Sequence, residues 1–232
     1  MGCKFGADQK EEENEIKTSV IDTIMQNEHN EGEVIKNLDY YQKLEQLELN
    51  GEKEDDNAYR NYSNDILNII NNIRQKPQNY ADFIEDSMEN IIETDEGENK
   101  KIIFKKQLKV GLIRGEPAFR EAARILRDID SLPPFTFKNE LCVPMPFSEN
   151  EIFNTNYLKT QITNMRQTTK VDAYFKEMVK SPEISALLMI VDDNGNNSGK
   201  KRMLLLSNEL KYIGISSGIV GGTFVAYYAF SR

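Results

Sequence analysis

The stretch YIGISSGIVGGTFVAYYAFSR, residues 212–232, decides the fold class. Tyr212 to Ile215 and Thr223 to Phe230 are rich in β-branched and aromatic residues, which fit a pleated, buried backbone, and Gly218, Gly221 and Gly222 lie between them. Two such runs separated by glycines predict antiparallel strands joined by a hairpin loop.

Toward the N-terminus the apolar period becomes helical. Ile66, Leu67, Ile69, Ile70 and Ile73 form one broad face, with Ser63 and Asn64 expected as caps. Pro77 opens a second helix carrying Tyr80, Phe83, Ile84, Met88 and Ile91, because a first-turn proline lacks an N–H that would have no partner anyway. Asp95 to Lys101 is expected to be its exit loop. Pro117 opens a third helix with Phe119, Ala122, Ala123, Leu126 and Ile129 on one side, closed by Ser131-Leu132-Pro133-Pro134. A weaker pattern covers Glu149 to Gln161. Ser181-Pro182-Glu183 supplies cap, first-turn proline and acidic first turn to a helix ending near Val191, and Asp192 to Gly199 is expected to be a loop. Helices followed by a terminal hairpin imply an α+β domain over residues 63–232, with helices packed on a central antiparallel sheet.

Residues 1–62 read as an acidic N-terminal extension. Ile16, Val20 and Ile24 make one amphipathic stripe, and Val34, Leu38, Tyr41, Leu44 and Leu47 make a second. Such stripes either pack on their own domain or dock on a partner chain. Glu52 to Asp56 reads as a solvated linker. Met1-Gly2-Cys3 makes Gly2 a candidate for myristoylation and Cys3 for palmitoylation, the two anchors that stable attachment requires, although Gly6 stands where Ser or Thr is preferred.

The net charge of -9 argues against nucleic acid as a partner, since the field of the chain repels phosphate. Cys3 and Cys142 are the two cysteines, and no apolar run stands near Met1. The expectation is a cytoplasmic chain without a disulfide framework or secretory signal. No segment approaches the ~18 apolar residues of a spanning helix, so membrane contact is expected to be peripheral. One basic stretch breaks the acidic background: Lys100, Lys101, Lys105, Lys106, Lys109 and Arg114, with Ile102, Ile103, Phe104, Leu108 and Val110 between them. It reads either as a solvated rim over a buried segment or as a contact for anionic lipid heads or acidic polymer tails.

Three segments carry a family resemblance. Ile66-Leu67-Asn68-Ile69-Ile70-Asn71-Asn72-Ile73-Arg74 before Pro77 is similar to the opening helix of CAP (SCP-like) domains. Ile113-Arg114-Gly115-Glu116 through Leu132-Pro133-Pro134-Phe135, then Asn139-Glu140-Leu141, resembles a later helix and its exit in the intracellular and microbial branch. Ile190-Val191-Asp192-Asp193, Gly199-Lys200-Lys201-Arg202 and Lys211-Tyr212-Ile213-Gly214-Ile215 resemble the closing run. The resemblance spans roughly Ser63 to Arg232 and implies an α-β-α layered domain.

It also implies a central cleft, in which many family members place two histidines and two acidic groups able to hold a divalent metal. This chain departs from that pattern. One histidine would follow Leu141-Cys142, where Val143-Pro144-Met145-Pro146-Phe147-Ser148 stands and two prolines break the expected helix. The other would fall within Gly199 to Arg202, which offers Lys200 and Lys201. Ser148, Lys200 and Lys201 are thus the degenerate cleft positions, and the cleft acids have no clear counterpart. The single histidine, His29, lies in the extension, so no His-based metal site and no cofactor is expected in the domain.

Three motifs fail on chemistry. Gly214-Ile215-Ser216-Ser217-Gly218 matches the hydrolase nucleophile elbow, but that motif needs a following helix and a histidine base. Gly195 to Lys200 is one residue short of a phosphate loop and lacks its hydroxyl. Asp192-Asp193-Asn194-Gly195 places its glycine too early for calcium, with Met203 where a bidentate glutamate belongs. Cys142, between Leu141 and Val143, reads as a small core residue.

The expected function is therefore a non-catalytic CAP-like domain, a structural or protein-binding module in a larger assembly of cytoskeletal or ciliary kind. The alternative is an N-acylated peripheral membrane protein that binds lipid through the domain, and the third reading is an unrecognised hydrolase.

Overall fold

Both runs of the C-terminal stretch form strands, Tyr212–Val220 and Thr223–Ser231, paired antiparallel from Tyr212↔Ser231 to Val220↔Thr223. Gly221 and Gly222 make the two-residue turn with φ of 63° and 93°. Positive φ at both central residues is the turn geometry whose twist matches the flanking strands, and glycine adopts it without strain. Gly218, expected in the loop, sits inside the first strand.

The computed structural model describes residues 61–96, 99–105, 109–194 and 199–232, with backbone alone at 94–96, 99–103, 105, 109 and 155. The N-terminal stripes, Gly2, Cys3, His29 and Lys106 lie outside the described residues, as do the side chains of Lys100, Lys101, Lys105 and Lys109. In chain order the helices are α1 (Tyr62–Gln75), α2 (Pro77–Ser87), α3 (Glu116–Asp128), α4 (Glu149–Phe153), α5 (Thr155–Met165), α6 (Pro182–Val191) and α7 (Lys200–Leu205). The strands are β1 (Ile91–Glu96), β2 (Asn99–Lys105), β3 (Lys109–Leu112), β4 (Thr136–Phe137), β5 (Ala173–Glu177), β6 (Tyr212–Val220) and β7 (Thr223–Ser231). The domain is α+β, and no described helix is long and apolar enough to cross a membrane.

The helix starts follow the sequence cues at Pro77, Pro117 and Pro182. At α6 the Ser181 side chain accepts from the Ile184 N–H at 3.3 Å. α1 begins before the expected caps: Asn61 is its N-cap, and Tyr62 is buried at 1% exposure. The weak pattern over Glu149 to Gln161 is two helices, broken at Asn154, whose side chain caps α5.

Two expectations about sheets are corrected. The central sheet has order β4-β6-β7-β5 and is mixed, because β4 runs parallel to β6. Pro133 and Pro134 hold the chain extended after α3, and the Thr136 and Lys138 N–H groups then donate to the Lys211 and Ile213 carbonyls at 2.9 Å each. The second correction concerns the expected loop from Asp95 to Lys101, in which Asp95, Glu96 and Asn99 to Lys101 are strand. β1, β2 and β3 form a separate antiparallel sheet, with β1 and β2 in register from Ile91↔Phe104 to Glu96↔Asn99. Period-two burial explains it: Phe104, Val110 and Leu112 are buried, and the Phe104 ring stacks on Phe119 of α3 at 5.6 Å.

Every residue of β7 is buried, so both faces of this strand are covered. Val225, Tyr227 and Ala229 join Leu141, Val143, Ile152, Ile162 and Val171 in one cluster, which places α4 and α5 on that face. On the other, Phe224 meets the Tyr62 ring of α1 at 4.8 Å and Phe230 meets Phe135 at 5.5 Å.

Gly214 of β6 passes directly beneath Leu141, and a Cβ built on it would stand 2.3 Å from the Leu141 carbonyl carbon. At Gly218 the nearest atom to such a Cβ is Met145 Cε at 3.4 Å. Gly214→Ala is expected to destabilise by about 3 kcal/mol, since backbone on both sides resists the shift, whereas Gly218→Ala should change stability by less than ~0.5 kcal/mol. Urea unfolding midpoints of the two variants check this.

Candidate functional site

Glu177 closes β5 and Lys201 lies in the first turn of α7; the Lys201 ammonium pairs with the Glu177 carboxylate. Both side chains are shielded, with 7% exposure for Glu177 and 24% for Lys201. The Lys201 backbone N–H also donates to Asp192 Oδ2 at 2.8 Å, so one residue fixes both β5 and the end of α6. Asp192 is buried in a left-handed conformation at φ 45°. Burial pushes its carboxyl above the usual aspartate range, partly offset by the Lys201 charge and N–H.

Beside this pair lies a closed hydroxyl network. Tyr62 of α1 donates to Ser185 Oγ of α6 at 2.9 Å and accepts from the Tyr228 hydroxyl of β7 at 2.9 Å. The Tyr228 ring stacks on Phe175 at 4.8 Å. Burial pushes the Tyr62 phenol up to about 12, opposed by its bonds to Ser185 and Tyr228 and reinforced by the Glu177 charge. Tyr228 is raised well above its ordinary value for the same leading reason. All three residues are buried, and the Tyr62 hydroxyl also reaches the Val179 carbonyl at 3.3 Å, so Ser185 is not open to substrate.

The Asp-rich loop is likewise committed to structure. Asp193 accepts from the successive N–H groups of Ile113, Arg114 and Gly115 at 2.9, 2.8 and 2.9 Å, placing a carboxylate at the start of α3. This is an anion site formed by backbone and filled by the chain's own carboxylate. Arg202, 3% exposed, donates to the Ile190 and Val191 carbonyls at 3.0 Å and to Glu121 at 2.6 Å, joining the end of α6 to α3. Arg114 meets the same Glu121 at 2.6 Å, and its bond is the leading cause that holds the Glu121 carboxyl low.

Of the degenerate cleft positions, Lys201 enters the paired site. Lys200, half-buried at the start of α7, is not its partner in that pair. Ser148 is an exposed N-cap: Glu151 Oε2 accepts from the Ser148 and Phe147 N–H groups at 3.2 and 2.7 Å, which starts α4. Ser216, the would-be elbow serine, lies in the middle of β6, with strand on both sides. Cys142 is half-buried, with its thiol directed at the Ile215 carbonyl at 3.7 Å. Arg114 is drawn away from the basic stretch into an ion pair with Glu121, which it shares with Arg202. Among the described residues no group of three His, Cys, Asp or Glu side chains is placed to hold a metal ion.

Glu177, Tyr62, Ser185 and Tyr228 were missed by sequence reasoning. They come from four elements, and Glu177 stands 24 residues before its partner with no local pattern to mark it. No protein-family model matches the chain, and neither the curated proteins nor the solved structures contain a match to it.

Two outcomes follow from these contacts. Lys201→Met leaves a shielded carboxylate unpaired and should cost about 3 kcal/mol, whereas Lys200→Met should cost less than ~0.5 kcal/mol; adding Glu177→Gln to Lys201→Met should recover much of the loss. A double-mutant cycle by urea unfolding measures it. The raised Tyr62 pKa means the folded state keeps a proton that the unfolded chain releases above ~10, so this contribution is full below pH ~10 and falls as pH rises toward 12. The stability gap between the wild type and Tyr62→Phe should therefore be constant from pH 7 to about 9 and narrow between about 10 and 12.

Proposed function

We propose that the chain is a non-catalytic CAP-like domain, serving as a structural or protein-binding module in a larger cytoskeletal or ciliary assembly. One observation carries the reading: where the resemblance expects an imidazole, Lys201 stands in an ion pair with Glu177. A lysine ammonium stays protonated near neutral pH and repels a divalent ion, so this pair takes the place of a metal-ready cleft. The neighbouring Tyr62, Ser185 and Tyr228 residues are buried, and Ser216 lies within β6 and not at a strand-to-helix turn. The coverage of β7 on both faces is compatible with CAP-like α-β-α layering.

The reading places the protein on the cytoplasmic side of the cell, with protein partners, no cofactor and no nucleic acid. Acylation at Gly2 and Cys3 would add a peripheral membrane attachment to this role.

Calorimetric titration of the full chain with zinc is expected to give no stoichiometric binding tighter than about micromolar. Any ester hydrolysis in the preparation should be unchanged by Ser216→Ala. Stoichiometric tight zinc, or an esterase activity abolished by Ser216→Ala, would overturn the non-catalytic reading.

A further inference from the structure

The β1–β2–β3 sheet has two chemically different faces, and its register sorts the basic stretch between them. Ile91↔Phe104, Ile102↔Leu112 and Phe104↔Val110 place Ile91, Ile102, Phe104, Val110 and Leu112 on one face. That face is covered around Phe104, Val110 and Leu112, which are 0%, 7% and 6% exposed, with Phe119 of α3 stacked on Phe104, while Glu93 on the same face is exposed. Lys100, opposite Asp95, belongs to this face at its far end.

The opposite face is set by Ile92↔Ile103, Thr94↔Lys101, Lys105↔Lys109 and Ile103↔Gly111. Lys101, Lys105 and Lys109 therefore share one face with Ile92 and Ile103, and Ile92 is 41% exposed. Ile113, immediately after β3, is 50% exposed. Glu96 is the one acidic residue that the register puts on this face. In a chain of net charge -9 the register thus places three lysine positions on the same face of a three-stranded sheet as the exposed Ile92.

We propose that this face of the β1–β2–β3 sheet docks on an anionic membrane surface, with Lys101, Lys105 and Lys109 meeting lipid headgroup phosphates and carboxylates. Charge complementarity selects an acidic partner, and exposed isoleucine beside the lysines favours lipid over an acidic polypeptide. Apolar side chains gain by entering the headgroup and acyl boundary, whereas an acidic tail offers them nothing. Each lysine near an anionic surface contributes roughly fivefold to partitioning, so three give about a hundredfold. That is the strength of a second anchor, which would add to an acyl chain but does not depend on one. The rest of the acidic chain is repelled by the same surface, so contact occurs in one orientation. This inference rests on the strand register and not on the CAP reading.

The test is co-sedimentation of the full-length Gly2→Ala chain, which cannot be myristoylated, with vesicles of phosphatidylcholine alone or with added phosphatidylserine. Binding to the phosphatidylserine vesicles alone, weakened by salt, is expected. Lys101→Gln and Lys105→Gln should each lower partitioning about fivefold, and Lys100→Gln, at a position on the opposite face, should lower it less than ~twofold. Ile92→Ser should lower it by about tenfold. Unchanged thermal unfolding of each variant separates loss of the surface from loss of the fold. Equal binding to both vesicles, or an effect of Lys100→Gln equal to that of Lys101→Gln, would overturn the proposal. Binding to polyglutamate without binding to vesicles would do so as well, assigning the face to an acidic polypeptide.

Discussion

A strand buried on both faces cannot exist without two covering layers, and β7 imposes that requirement on the rest of the chain. Its nine residues are buried throughout, from Thr223 to Ser231. One face takes α4, α5 and the Leu141–Val143 segment; the other takes Tyr62 of α1 and the Phe135 segment. The close approach of Leu141 to Gly214 belongs to the same constraint, because the covering segment lies directly on the backbone of the neighbouring strand. Elements distant in sequence are thereby forced together, and the polar groups they carry are buried with them.

Arg74 shows how that burial is tolerated. Its guanidinium, 1% exposed, donates to the Pro133, Leu205 and Ser207 carbonyls at 2.7, 2.7 and 2.9 Å, and lies 3.9 Å over the Phe135 ring. Burial lowers its pKa to about 10, which still leaves the charge in place near neutral pH. Three segments that share no local sequence signal, the end of α1, the Pro133–Phe135 stretch and the turn after α7, are tied at one planar donor group. A fork of fixed donors suits that task better than a point charge on a flexible stem.

What the sequence made legible were features with local causes. The hairpin was readable because Gly221 and Gly222 punctuate two β-rich runs, and α2, α3 and α6 because a proline stands in each first turn. The β1–β3 sheet was not, because the run Lys100-Lys101-Ile102-Ile103-Phe104-Lys105 lacks clean alternation and its inner face is set by tertiary contacts such as Phe104 on Phe119. β5 is five residues long and half-covered at three of them, so nothing distinguishes it from a loop. Of the site, Lys201 was legible as a position through the resemblance, but its partner Glu177 was not. Tyr62 was placed in the extension, one residue outside the domain, although its hydroxyl sits at the centre of the buried network.

The polar residues that invite a catalytic reading are consumed by structure, and this directs attention to the surface. Asp193 fills the amide site at the start of α3, Asp192 holds the Lys201 N–H, and Lys201 holds Glu177. A buried ion pair gives little net stability over well-packed apolar groups, so its effect here is better understood as fixing register: Lys201 admits one placement of α7 against β5 and the end of α6. With the interior locked in that way, the groups left to meet other molecules lie on the outside. Phe147 is 97% exposed beside the helix cap at Ser148, Ile219 is 45% exposed near the β6–β7 turn, and Ile92 and Ile113 are 41% and 50% exposed in and just after the β1–β2–β3 sheet. In the proposed role as a binding module, these edge residues would be the ones offered to a partner, and the buried network would supply the rigidity that holds them in place.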